Sequence, residues 1–585
     1  MPWLLLVVFS ALPRSTSNRP IHPLPPPDPF MDLMTERFNE PPLPKTPPPP
    51  PPMGRTENNS ATYLSSGNPC LDFFFQVVPD TKSKTITGLL KSAWDRDPLK
   101  SLKLVCHLRG VRGTGKSDRE GFYSSALWIH DHHRKTLALN VAPIAGFGYI
   151  KDLPEILHRI LNGADVREVQ KRQYLSWKSK GFLGFKNPKK GKPGHKTPEE
   201  VKAEVSAKRK EKREKAAAKA VERYARDPNY RLLYDLVSDF FADSLVADLE
   251  RLRSGKLNEI GLAAKWCPSL YSPYDCSTLL CEGIATRVFP VESYPEYAEI
   301  EEAHYVYRVR DRLRKEVLVP LRAALELPEV YMAANKWGSL PYERVASVAM
   351  KNYMAEDGVG PAGEGEAQEL HRGVRRFGEH GRDADGCRVA LGMLVAELSE
   401  EPWKGKVITF SATPQLHVIK GKTLAEKMSF VKGMEWGMNT DFQAVFDRIL
   451  EVAVEGRLDP ERMIKRVFVF SDMEFDEASR VRPSYYMGYG EASSSVRSWE
   501  TDYMVIRRKY EEKGYGSVVP EIVFWNLRDS QSIPVTSKDK GVALVSGFSK
   551  NMIKMFLERD GVIDPEIVMD NAIAGEEYSK LVVFD

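Results

Sequence analysis

The sequence predicts a multidomain protein, with a largely α-helical first half and a doubly wound α/β last third. Two periodicities predict it. Between about Leu71 and Tyr353 apolar residues recur every three or four positions, the spacing of helices that bury one face. Beyond Val389 short continuous apolar runs alternate with amphipathic stretches, the pattern of an open, mainly parallel sheet covered by helices on both faces. The length agrees, since 585 residues exceed the roughly 100–200 of one domain. With 42% hydrophobic residues the chain can bury sizeable cores, which excludes wholesale disorder.

The elements follow in order. The chain opens on an apolar run, Pro2 to Leu12, too short to span a bilayer and without the basic residues that open a secretory signal. Residues 20–52 are dense in proline and end in the unbroken run Pro47–Pro52. Proline has no amide to donate and favours an extended coil, so residues 1–55 are expected to be a disordered tail outside any core. In the helical domain, 56–354, helical spacing is clearest at 84–94, 152–161, 229–253 and 300–326. A solenoid-like helical repeat is one arrangement these admit, although no fixed period is visible. Residues 355–388, rich in glycine and charge, read as a linker. In the α/β domain, 389–585, a helix over 389–398 precedes strand KVITFS (406–411) and its hairpin partner QLHVI (415–419). Strands RVFVFSD (466–472), EIVFWNL (521–527) and GVALVSGF (541–548) follow, with helices at 441–456, around 500–513 and from Ser549.

Global charge does not argue for nucleic acid, because Lys+Arg 84 against Asp+Glu 80 leaves only +4. The exception is local. A basic insertion at 167–226 gathers Lys186, Lys189, Lys190, Lys192 and Lys196 near Trp177, Phe182 and Phe185, then runs into a helix-prone tract with Lys208, Arg209 and Lys210. Basic residues neutralise phosphates while aromatics stack on bases, the combination that holds single-stranded RNA. The plainer reading is a solvated helix stabilised by pairs such as Glu204 and Lys208 at four-residue spacing.

Other motifs invite chemistry. Gly110-Val-Arg-Gly-Thr-Gly115-Lys116-Ser117 fits the phosphate-loop pattern, in which amides wrap the phosphates, the lysine reaches the outer ones and the serine binds magnesium. Its surroundings read as helical, whereas such a loop needs a preceding strand. His130-Asp131-His132-His133 suits a polar helix end better than a metal site, since adjacent helical histidines point different ways. In the α/β domain ligands are expected at the carboxyl ends of strands, where Asp472 ends one strand and Asn439-Thr440-Asp441 opens a helix. Magnesium prefers such oxygen ligands. Glu474 and Asp476 follow Asp472 at alternating positions, a spacing equally ordinary in a loop. No catalytic constellation can be placed, which favours a non-enzymatic protein. Six cysteines without a CxxC pair argue against a disulfide framework and for a reducing compartment, cytoplasmic or nuclear, with a signal or transit segment left open by the apolar start.

Long segments carry a resemblance. ITFSATPQLHVIKGKTL, MNTDFQAVFDRIL, KRVFVFSDMEFDEA and FWNLRDSQSIPV resemble the C-terminal von Willebrand factor A-like domain of a plant and fungal family of uncharacterised proteins. ATYLSSGNPCLDFFFQVVPDT, HYVYRVRDRLRKEVLVPLRAALELPEVY and NKWGSLPYERVASVAMKNYM resemble its helical part. The layout is similar to the Ro autoantigen proteins, where a helical-repeat ring that binds RNA precedes a von Willebrand A domain. The resemblance implies a divalent-ion site with Thr440 as its second-loop threonine and Asp472 as its third-loop aspartate. The first loop, of type DxSxS, has no counterpart. Only Asp383 and Asp385 stand near it, without the apolar first central strand, so the sheet is expected to lack that strand and the site to be degenerate.

The combined expectation is a scaffold, with a von Willebrand A-like module contacting a protein partner and a helical domain that binds RNA, with Mg2+ as cofactor only if the metal site is intact. The alternative is a nucleotide hydrolase built on Gly110 to Ser117.

Overall fold

In the computed structural model of the chain, residues 6–10, 51–111, 113–184, 198–333, 336, 384–399, 403–409, 414–434, 441–477, 500–557 and 563–585 are described. They fall into two units. One contains residues 1–80 and 382–571, the other 81–381 and 572–585.

The first unit is built on a sheet. Its strands are β1 (Leu6–Ser10), β4 (Lys406–Thr409), β5 (Gln415–Val418), β6 (Arg466–Ser471), β7 (Glu521–Asn526) and β8 (Val542–Ser546), in the order β5-β4-β1-β6-β7-β8. β2 (Met53–Arg55) and β3 (Ala61–Tyr63) form a separate antiparallel pair. β6, β7 and β8 run parallel, with Val467, Val469, Ile522, Phe524, Val542 and Leu544 fully buried. Continuous burial is what a parallel sheet covered on both faces requires. Register sets Arg466 against Glu521, and the two side chains form an ion pair of 2.6 Å. Helices Ala384–Leu398, Phe442–Glu455 and Asp502–Glu512 lie in the intervening sequence.

Leu6–Ser10 corrects the expectation of a disordered tail over 1–55. It is a strand between β4 and β6, antiparallel to both, with Val7 opposite Ile408 on one side and Val469 on the other. It takes the central slot expected to be missing. An empty slot would leave the donors and acceptors of two interior strands unpaired, and an apolar β-prone run satisfies them. The stretch just ahead of the Ala384–Leu398 helix, where the resemblance puts the first strand, lies outside the described residues.

The second unit is helical. Its longer helices are Ser83–Arg96, Pro98–Arg109, Arg119–His132, Asp152–Asn162, Val166–Gly184, Pro198–Arg226, Pro228–Arg253, Leu280–Val288 and Glu302–Arg312. Several begin on a recurrent device, an Asp or Ser cap followed by proline. Asp97 accepts the amide of Lys100, Asp227 those of Asn229 and Tyr230, and Ser272 that of Asp275. The carboxylate or hydroxyl satisfies an amide the helix cannot, and proline sits where its missing amide costs nothing.

The expected boundaries at 56 and 389 therefore move. Residues 56–80 belong with the sheet and 572–585 with the helices. Long-range hydrogen bonds are the reason. Asp585 accepts from the amides of Lys135 and Thr136 at 2.9 and 3.0 Å, capping the short helix Arg134–Leu139, which its own N-cap residue His133 does not cap with its side chain. Thr136 Oγ1 donates to Asp585 Oδ1 at 2.7 Å and accepts from the Phe584 amide at 2.9 Å, and Asn140 bonds both ways to Val582. Tyr578 is buried against Phe147, with ring centres 4.7 Å apart.

Thr136→Val keeps the shape and removes the bonds of the Oγ1 hydroxyl to Phe584 and Asp585. It is expected to lower the unfolding free energy by about 1–2 kcal/mol, measured by urea denaturation, and to speed proteolytic cleavage within 572–585.

Candidate functional site

Gly110 to Ser117 joins two helices, Pro98–Arg109 and Arg119–His132, and LKLVCHL ahead of it is helical. The Lys116 amide donates to the His107 carbonyl at 2.9 Å and the Asp118 amide to the Leu108 carbonyl at 2.6 Å, so these amides do not face a ligand. Gly115 is required because a Cβ there would lie 2.0 Å from the His107 oxygen. Lys116 is 2% exposed, and burial pulls its amine down to about 7 against the opposing pull of Asp118. Burial, with Lys116 adding to it, holds His107 down at about 3. The motif is thus an interhelical turn. His132 and His133 stack on Trp128 and Trp94, at 4.6 and 4.3 Å, while His130 is buried, so these rings do not converge.

At the sheet's carboxyl edge, residues 56–78 cover the strand tips. Ser546 Oγ donates to the Phe74 carbonyl at 3.0 Å and Asn526 Nδ2 to that of Phe75 at 3.2 Å. Ser60 Oγ donates to Asp502 at 2.8 Å, the Glu57 amide to Glu474 at 2.6 Å and Thr56 Oγ1 to the Phe475 carbonyl at 2.7 Å. Glu474 also accepts from Ser530 and Ser532, and Asp476 bridges Asn59. Glu474 and Asp476 therefore anchor this segment.

Asp472 is buried, and burial raises its carboxyl above the usual range, opposed by the charges of Arg388 and Arg528. The Arg528 guanidinium is 3.9 Å away. Positive charge already faces this carboxylate, which does not fit a divalent cation. Among the described residues no group of three His, Cys, Asp or Glu side chains is placed to hold a metal. Thr440 and Asp383 lie outside the described residues, as do Lys186, Lys189, Lys190, Lys192 and Lys196, and for Asp385 only the helical backbone is described.

The basic tract forms the helix Pro198–Arg226. Lys208 pairs with Glu204 at 2.9 Å, Lys210 with Glu214 at 3.9 Å and Lys215 with Glu211 at 2.7 Å. Arg209, Lys212 and Arg213 are exposed and have no ion pair among the described residues. Arg213 approaches Cys276 closely enough for its charge to oppose the burial that raises that thiol, and Cys276 in turn donates to the Tyr271 carbonyl at 3.2 Å.

Tyr271 opens onto a cavity of about 420 Å³ whose polar lining includes Tyr307, Arg310, Asp311, Arg314 and Arg322. One helical run supplies most of it. After Glu302–Arg312 the chain widens into a π-helical stretch, Leu313–Leu318, ahead of Pro320, which has no amide for the preceding turn. Arginines 310, 314 and 322, spaced by four and eight, thereby face one side.

Their charges are compensated unequally. Arg310 pairs with Glu282 at 2.7 Å and Asp275 at 3.1 Å and lies 5.2 Å over the Tyr271 ring. Asp311 is taken by Lys315 at 2.7 Å. Among the described residues Arg322 is fixed only by neutral acceptors, the Ala264 carbonyl at 2.8 Å, that of Cys267 at 2.9 Å and Ser269 Oγ at 3.0 Å. Arg314 is exposed, without an ion pair among the described residues. Two guanidiniums thus keep their charge, beside Tyr271 and Tyr307, which are 59% and 68% exposed. The Tyr271 turn is held from behind. Asp275 accepts the Tyr271 amide at 2.8 Å and the Cys281 amide at 3.1 Å, while Tyr274 donates to Glu155 at 2.6 Å. The sequence signal for this site is the row of arginines along 305–322, which is sparser than the lysine cluster and easily passed over beside it.

The family model described as Domain of unknown function (DUF2828) matches residues 56–356, and that described as Domain of unknown function (DUF7788) matches 377–581. Uncharacterized protein L728 of Acanthamoeba polyphaga mimivirus is 23% identical, over 86% of this chain and 84% of that protein. No solved structure gives a significant match.

Two expectations follow. Burial alone would raise Glu155, but hydrogen bonds from Arg167, Tyr274 and Arg159 reverse this and lower it to about 2. A depressed carboxyl stabilises the fold above its unfolded value, near 4.5, and that stability is lost as pH falls through the folded one. Thermal stability should fall over that window in the wild type and show a smaller acid dependence in Glu155→Gln. At the sheet edge, Arg388→Met removes a charge that opposes the burial of Asp472 and should lower stability in chemical denaturation, with partial recovery in the Arg388→Met, Asp472→Asn double variant.

Proposed function

We propose that this chain, which belongs to the family described as Domain of unknown function (DUF2828), is a non-enzymatic binding protein whose helical unit holds single-stranded RNA. The observation that carries this reading is the cavity beside Tyr271, where two uncompensated guanidiniums stand next to two exposed tyrosine rings. Single strands are held by this combination, cations along the backbone and aromatic faces under the bases, and it tolerates sequence. The basic helix extends the surface, with Arg209, Lys212 and Arg213, which have no ion pair among the described residues, on a helix whose charge reaches Cys276 and so the Tyr271 turn. Nucleotide hydrolysis at Gly110 to Ser117 is the weaker reading, because that loop's amides bond inward.

The sheet unit carries a second role, a protein-interaction module of the von Willebrand A kind. In support, four strands of its sheet share one direction, since β4 and β6 are both antiparallel to β1 and β7 and β8 continue parallel from β6. Its partner would be met without a bridging cation, given the guanidiniums facing Asp472. No helix among the described residues is long and apolar enough to cross a membrane.

Arg209→Gln, Lys212→Gln and Arg213→Gln in combination are expected to weaken single-stranded RNA binding and to flatten the slope of log affinity against log salt by about 0.7 for each phosphate no longer neutralised. Fluorescence anisotropy over a salt series measures this. Unchanged slope and affinity would remove the basic helix from the interface.

A further inference from the structure

The cavity beside Tyr271 differs from the basic helix in kind. The helix is an exposed row of cations, suited to successive phosphodiesters that each bear one charge. The cavity is a recess of about 420 Å³, near the lower end of the roughly 300–1,000 Å³ typical of small-molecule sites, with room for one nucleotide and not for a run of them. Its two free charges are Arg314, which has no ion pair among the described residues, and Arg322, which is pinned by carbonyls and a hydroxyl. Neutral anchors orient a guanidinium without cancelling it, so Arg322 is set in place with its full charge. Of the carboxylates nearby, Asp311 is matched by Lys315, while Asp275 and Glu282 share Arg310 and Asp275 is also held by the amides of Tyr271 and Cys281. Two guanidiniums without an ion pair among the described residues offer more N–H donors at one recess than a phosphodiester needs. They match a phosphate monoester, which carries about 1.5 to 2 negative charges at neutral pH and accepts the paired N–H bonds of arginine. Tyr271 and Tyr307 offer flat faces for the adjoining base.

We infer that this cavity is an end-recognition site, taking the terminal phosphate monoester of a single-stranded RNA between Arg314 and Arg322 with its base against a tyrosine. The inference rests on the RNA reading, and adds to it the position along the strand at which the cavity acts.

The test uses the full chain and fluorescence anisotropy with one 12-nucleotide RNA in three forms, carrying a 5′-phosphate, a 3′-phosphate or hydroxyls at both ends. One phosphorylated form should bind about tenfold tighter than the hydroxyl form, the effect of one added charge-assisted hydrogen bond. The preference should fade below about pH 6, where the monoester dianion takes up a proton and becomes singly charged. Arg314→Ala, at an exposed side chain whose loss leaves no buried partner, should abolish the preference, so that the phosphorylated and hydroxyl RNAs bind it with equal affinity. Equal affinity of all three RNAs overturns the inference and leaves the RNA reading standing. Absence of binding by every RNA overturns the RNA reading. In that case calorimetry with a nucleoside monophosphate decides the rest. Binding that disappears in Arg314→Ala keeps a monoester site, for a free nucleotide, and no binding overturns it.

Discussion

The sheet depends on how its polar strand tips are covered. Asn526 and Ser546 end β7 and β8 and are almost completely buried, and a buried amide or hydroxyl without a partner costs about 1–3 kcal/mol. Their partners are carbonyls at the end of the Pro69–Gln76 helix, more than 440 residues earlier in the chain. The same segment fastens itself along the edge through Thr56, Glu57, Ser60 and Thr62, and through Ser66, whose carbonyl takes the Ser537 amide at 2.9 Å. In an open α/β sheet this edge is the ordinary place for a ligand. Here it is closed by the protein itself, and with guanidiniums facing Asp472 the centre of chemical interest moves to the helical unit.

In that unit the governing constraint is charge balance. Most buried charges are paired, as Arg109 is with Asp152 at 2.8 Å and Arg159 with Glu155 at 2.8 Å. Such pairing fixes geometry without leaving a field outside. Arg314, exposed, and Arg322, half-buried, have no ion pair among the described residues, and they stand where a π-helical stretch and a tight turn meet. The rigid pairs behind the turn and the unpaired cations in front of it are two parts of one arrangement, since a preorganised recess loses less freedom when it is filled.

Much of the fold is legible in the sequence because periodicity is local. Helices at 83–96, 152–162 and 228–253 and strands β4 to β8 lie within a few residues of where the apolar spacing puts them. What the spacing does not carry is single polar residues acting over hundreds of positions. Asn526 with Phe75, or Thr136 with Asp585, leaves no repeat in the sequence, so the exchange of terminal segments is invisible there. Leu6–Ser10 reads as a stray apolar run because nothing nearby marks the slot it enters. The phosphate-loop pattern misleads for the opposite reason. Gly115 answers a backbone clash with His107 and Gly110 one with Thr114 and Gly115, demands that produce the same letters as a phosphate cradle.

The placement of residues 572–585 among the helices has a consequence for biosynthesis. A ribosome completes residues 81–381 long before it makes the strap that Thr136 and Asn140 await, and residues 382–571, with five of the sheet's strands, must emerge in between. Docking of that strap is therefore delayed until residues 382–571 have been made, and nascent chains would hold Thr136 and Asn140 without these partners for the time it takes to translate nearly two hundred codons, an interval in which chaperones have something to hold.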